Sequence, residues 1–128
     1  MDPISNFITI IRNAYLAGRS KLSTSHSNSK EGIAKILKNH GYIVDFQVEG
    51  QVPKKTLSLT LAYHKDSPLL NKIQRISKPS VRIYRSADKI PHALSGKGIV
   101  IVSTSKGLMT DKDARKQNIG GELICRLW

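Results

Sequence analysis

A chain of 128 residues with 21 lysines and arginines against 9 aspartates and glutamates carries a formal charge of +12 at pH 7. A small protein held that far from neutrality repels itself unless a polyanion normally neutralises it, so nucleic acid is the partner class the balance favours. Aromatic residues make up only 5%, which disfavours a broad base-stacking platform for single strands and favours folded RNA or duplex met through backbone and shape.

The single cysteine, Cys125, excludes an internal disulfide. No run approaches the roughly 20 apolar residues of a membrane-spanning helix, and no secretory signal pattern opens the chain. A soluble, reducing compartment and no membrane partner are therefore expected.

Asp2-Pro3 reads as a helix cap followed by proline at the first helical position. Ile4, Phe7, Ile8, Ile11 and Ala14-Tyr15 recur at helical spacing until Gly18 stops the run. Arg12 and Asn13 fall off that stripe, where they face solvent or phosphate. Arg19 to Ser25 alternates weakly and is predicted as a short strand and a serine-rich turn. A second helix starts near Ser27 or Asn28, with Asn28 and Glu31 at capping-box spacing, Ile33, Ile36 and Leu37 as its buried stripe, and Gly41 at its end. Lys30 stands beside the positive end of that helix dipole, a place slightly unfavourable for a lysine unless an anion is near.

Tyr42, Val44, Phe46 and Val48 alternate with polar residues, and Leu57, Leu59, Leu61 and Tyr63 do the same after a turn at Gly50 to Pro53. The two read as an antiparallel hairpin with the helices on its apolar face. Residues 1–64 thus form an α-β-α-β-β lobe, and residues 65–72, with Pro68 and no periodicity, read as a connecting segment. Residues 73–128 form a mostly β lobe: Ile73 to Ser77, a break at Lys78-Pro79, a strand over Val81 to Arg85, and a helical turn or two over Asp88 to Leu94. Gly96-Lys97-Gly98 leads into the buried run Ile99-Val100-Ile101-Val102, which hands over to Ser103-Thr104-Ser105-Lys106-Gly107. Thr110 and Asp113 open a helix to Gln117, Gly120-Gly121 breaks it, and Glu122 to Trp128 closes the chain as a strand. The fold class is α+β.

Ser103-Thr104-Ser105-Lys106 matches the S-x-x-K signature of acylating enzymes, but the accompanying S-D-N and K-T-G elements are missing. Neither Gly96-Lys97-Gly98 nor Gly120-Gly121 completes a phosphate-loop motif. The four histidines are dispersed, none beside Cys125, so no metal site is expected. No carboxylate pair has acid–base spacing. The expectation is a protein with no catalytic residue, cofactor or metal.

The series Ser103-Thr104-Ser105-Lys106-Gly107-Leu108-Met109-Thr110-Asp111, then Ala114-Arg115, Gly120-Gly121-Glu122 and Cys125, resembles the signature of the bacterial-type small-subunit ribosomal protein eight family. Asp2-Pro3-Ile4, Ile11-Arg12-Asn13-Ala14, Gly41-Tyr42-Ile43, Asp45-Phe46, Ile76-Ser77-Lys78-Pro79 and Arg82-Ile83-Tyr84 extend the resemblance over nearly the whole chain. It implies a structural constituent of the small ribosomal subunit that binds the central domain of the small-subunit ribosomal RNA and supports its assembly. Neighbouring small-subunit proteins such as ribosomal protein five are implied as partners. The alternative that it implies is an additional role as translational repressor on its own operon messenger. The location would be the ribosome of a bacterial cytoplasm or of an organelle of bacterial descent. The RNA contacts carried over are Arg12, Asn13 and Lys30 in the first lobe and Tyr84, Ser103, Thr104, Ser105, Lys106, Gly107, Glu122 and Cys125 in the second. Ser25 departs from the pattern, standing where relatives commonly have proline.

Overall fold

A computed structural model describes residues 3–93 and 98–128. The chain divides into two compact units, Pro3–Asn71 and Lys72–Trp128.

In the first unit, helix α1 (Pro3–Leu16) buries Phe7, Ile8, Ile11, Ala14 and Tyr15, the stripe that the spacing predicts. It ends at Gly18, whose positive φ of 69° lets the Arg19 N–H turn back to the Ala14 carbonyl at 3.0 Å. The expected cap at Asp2 lies outside the described residues. Strand β1 (Lys21–Ser25), helix α2 (Asn28–Asn39), strand β2 (Ile43–Glu49) and strand β3 (Thr56–Leu61) follow, and the three strands form an antiparallel sheet in the order β1-β3-β2. Leu22, Leu57, Leu59 and Leu61 line its buried face, beneath α1 and α2. A small hairpin of β4 (Tyr63–His64) and β5 (Ser67–Pro68) completes the unit, so the aperiodic stretch after His64 stays with it.

Two local expectations change. The alternation through Val44 is interrupted by a bulge between Ile43 and Asp45, which puts Ile43 in the core at 2% exposure and Val44 outside at 59%. The cap of α2 is Ser27 and not Asn28: the Ser27 hydroxyl accepts the Lys30 N–H at 3.2 Å. Glu31 reaches the His26 ring and the Lys35 ammonium and forms no capping box.

The second unit contains β6 (Ile73–Arg75), β7 (Tyr84–Arg85), a 3-10 turn over Ala87–Lys89, β8 (Ile99–Thr104), β9 (Gly107–Thr110), α3 (Asp111–Gln117) and β10 (Gly121–Leu127). Its antiparallel sheet runs β6-β10-β8-β9, with β7 also paired to β10. Ile99, Val100, Ile101 and Val102 are all buried, as an unbroken β-branched run requires, and Val100 and Val102 share one cluster with Ala114, Leu123, Ile90 and Ala93. Asp111, 4% exposed, ties this core together. One carboxylate oxygen accepts the Val100 N–H at 3.1 Å, and the other pairs with Arg115 at 2.8 Å. Arg115 also donates to the Ile90 and Pro91 carbonyls.

The predicted strand over Val81 to Arg85 is a tight turn at Pro79-Ser80, bridging Lys78 and Val81, followed by a strand of only Tyr84 and Arg85. Within Asp88 to Leu94 the described residues hold only the end of the 3-10 turn, followed by extended backbone at Ile90 and a bend at Ala93. Leu94 itself, with Gly96-Lys97, lies outside the described residues.

Candidate nucleic-acid interface

Residues directly opposite one another in a sheet project to the same face. Glu122 of β10 lies opposite both Tyr84 of β7 and Ser103 of β8, and Ser103 lies opposite Leu108 of β9. One row across four strands therefore presents a phenol, a carboxylate and a hydroxyl side by side, next to an apolar side chain. Tyr84 is 62% exposed, so its ring and phenol are open to a partner. Arg82 closes the row by pairing with the Glu122 carboxylate at 3.1 Å, so the anion is already neutralised.

Ser77 fixes the segment that carries Arg82 and Tyr84. Fully buried, its hydroxyl accepts the Ile83 N–H at 2.9 Å and donates to the Ile83 carbonyl at 3.3 Å. Neither Ser77 nor Arg82 stands out in the sequence as a site residue. Their partners lie 6 and 40 residues away, and a lone serine or arginine gives no local sign of such a tie.

Beyond Ser103 the chain reverses through Ser105 and Lys106, with Thr104 opposite Gly107. The expected strand-to-helix junction is thus a two-residue hairpin, and β9 separates the tip from the start of α3. Gly107 adopts φ of +103°, a conformation that side chains rarely tolerate. The Thr104 hydroxyl accepts the Lys106 N–H at 3.1 Å and donates to the Gly107 carbonyl at 2.9 Å. Ser105 and Lys106 are left exposed at the apex. The glycine pair Gly120-Gly121 is required by close approach. A Cβ on Gly121 would lie 2.1 Å from the Ser103 carbonyl oxygen, and one on Gly120 would lie 2.5 Å from that of Arg85.

Cys125 does not join this row. It lies opposite Ile101 and Arg75, is fully buried, and has a thiol pushed up to about 12 by loss of water, with Arg75 opposing in part. Its side chain supports the sheet from within.

In the first unit Arg12 and Asn13 are exposed on α1, as the stripe predicts. Lys30 is different: at 6% exposure its ammonium points inward, to the Ser25 carbonyl at 3.1 Å, the Ser25 hydroxyl at 3.2 Å and the Thr24 hydroxyl at 3.5 Å. Among the described residues no group of three or more His, Cys, Asp or Glu could hold a metal ion, and no helix is long and apolar enough to cross a membrane.

The family model described as Ribosomal protein S8 matches residues 2–128. The chain belongs to the ribosomal protein S8 family. Curated relatives agree: the chain is similar to the small ribosomal subunit protein uS8 of Wigglesworthia glossinidia brevipalpis, with 51% identity over 97% of this chain and 95% of the relative. The same protein of Mesomycoplasma hyopneumoniae is 49% identical over 99% and 96%, and that of Neisseria meningitidis is 48% identical over 97% and 95%. Members of the S8 family are structural ribosomal proteins and not enzymes, which disposes of the nucleophile reading of Ser103 and Lys106.

Proposed function

We propose that this chain is a constituent of the small ribosomal subunit of a bacterial-type ribosome, and that it binds the central domain of the small-subunit ribosomal RNA through the face built by Tyr84, Ser103, Ser105, Lys106, Gly107 and Glu122. Thr104 and Cys125 hold that face in shape. Arg12 and Asn13 form a second contact from the first unit, and Lys30 serves that unit from inside.

The observation that carries this reading is the cross-strand row with its hairpin apex. It offers hydroxyls, a phenol, a neutralised carboxylate and a lysine on a rigid sheet in a chain of net charge +12. Such a surface meets 2′-hydroxyls, phosphates and exposed base edges without a stacking platform. Glu122, already paired with Arg82, orients that arginine and the row beside it. Neighbouring small-subunit proteins, among them ribosomal protein five, adjoin it in the assembled particle. The same surface serves a messenger of the same folded shape, which would let the protein repress its own operon.

The test is affinity for the central-domain helix against a scrambled duplex of equal length, measured across salt. Specific binding predicts a discrimination that persists as salt rises, because the electrostatic part common to both duplexes is screened away. Equal affinities would refute the proposal. An excess of operon messenger that fails to compete would remove the regulatory role alone.

A further inference from the structure

We infer that Lys30 acts on RNA at one remove: its buried ammonium makes the Ser25 hydroxyl, with Thr24 beside it, an outward hydrogen-bond donor for a phosphate oxygen. This rests on the RNA-binding reading above and deepens it, naming a contact in the first unit that Ser25 supplies.

The chemistry follows from who can donate. An ammonium has three protons and no lone pair, whereas a hydroxyl has one proton and two acceptor sites. The three acceptors of Lys30 are the Ser25 carbonyl, the Ser25 hydroxyl and the Thr24 hydroxyl. Among the described residues no carboxylate pairs with this ammonium. Both hydroxyls are thereby committed as acceptors on their inner side, and the proton of each is left for a partner elsewhere. Ser25 is exposed, so its proton meets whatever lies outside. A hydroxyl that accepts from a cation is also polarised, which strengthens its own donation to an anion.

The arrangement is held rigidly. Ser25 pairs with Thr56 across β1 and β3, and the next residue, His26, donates its N–H to the Lys55 carbonyl at 3.0 Å. The His26 ring is tied to Glu31 at 2.7 Å, on the same helical turn as Lys30. Burying an ammonium with hydroxyls and a carbonyl but no carboxylate beside it is costly, and an apolar side chain of similar length would serve packing better. A charge kept beneath an exposed hydroxyl is explained by what that hydroxyl must bind.

A double-mutant cycle with the full chain and the central-domain RNA helix tests this. Ser25→Ala, which leaves Lys30 in place, is expected to weaken binding about tenfold, as for a hydrogen bond to a charged group. Lys30→Met should weaken it comparably in the native background and hardly at all in the Ser25→Ala background. Thermal unfolding of each variant shows that it is folded. Additive losses would overturn the inference, as would an unchanged affinity in Ser25→Ala together with a salt slope lowered by about 0.7–0.9 in Lys30→Met, the mark of a direct phosphate contact. Should Lys30→Met fail to fold, Ser25→Ala alone decides, by loss or retention of affinity at unchanged stability. Absence of specific binding by the unaltered chain would refute the functional reading and this inference together. An additive cycle on a chain that does bind specifically would refute the inference only.

Discussion

Glu122 and Ser103 face each other across β10 and β8 at the edge of the hairpin tip, and the carboxylate of Glu122 is held by Arg82 at 3.1 Å. The pair is partly open to water, with Arg82 half exposed, so its contribution to stability is at most about 1 kcal/mol. Its role is to set charge and geometry in the row. Glu122→Gln should therefore leave the melting temperature nearly unchanged, raise affinity for a scrambled duplex by unmasking Arg82, and reduce the ratio of specific to non-specific binding. Paired titrations with the two RNAs check this.

The Thr104 hydroxyl makes both of its hydrogen bonds inside the hairpin turn. Thr104→Ala should cost about 1 kcal/mol locally and Thr104→Ser should restore it. Amide hydrogen exchange at Lys106 is the sensitive readout, since local opening of the turn exposes that N–H without global unfolding.

Much of the fold was legible because it rests on local rules. The stripe of α1 and the alternation of Leu57, Leu59 and Leu61 follow from periodicity, and the buried run through Val102 from its shortness and β-branched composition. What escaped reading depends on distant partners or on short elements. Val44 and Ile43 exchange places through a bulge that no alternation announces. Strand β9 is four residues with only Leu108 and Met109 as apolar members, too few to show a period. At the site, the resemblance marked Ser103 to Gly107 and Glu122; the first turn back locally on β9, whereas Glu122 is placed by pairing with Ser103 and Tyr84, far away in sequence. Lys30 is read as an RNA contact from the resemblance and from its place beside the helix dipole, and nothing near it in sequence announces that it is buried. Its burial depends on where Ser25 ends β1.

Gly121 sits where any side chain would press on the Ser103 carbonyl. Gly121→Ala should destabilise the second unit by roughly 1–3 kcal/mol, as overpacking does, and disturb the backbone at Ser103. Thermal unfolding together with the Ser103 amide chemical shift would register both effects.

Cys125, fully buried with its thiol pushed up to about 12, should be inert toward alkylating reagents at neutral pH in the folded protein. Labelling should appear only as the chain unfolds, with the same denaturant midpoint as the loss of circular dichroism. Rapid labelling of the native protein would contradict the assigned burial.

In the first unit, hydrogen bonds from His26 and then Lys35 hold Glu31 below the usual carboxylate range, and Lys38 with the Phe46 N–H does the same for Asp45. A carboxylate whose folded-state value is depressed stabilises the fold above its unfolded value, and that stability is lost as pH falls through the folded one. Acid should therefore destabilise this unit as pH drops below the ordinary carboxylate range. Glu31→Gln should flatten the dependence of its melting temperature on pH in that acid window.

The most direct test of the RNA interface is an amide chemical-shift titration of the labelled protein with the central-domain RNA helix. The largest perturbations are expected at Tyr84, at Ser103 to Gly107 and at Glu122, with a second set around Arg12, Asn13 and Ser25. Perturbations confined to other surfaces, with the row from Tyr84 to Ser103 and the hairpin apex silent, would contradict this interface.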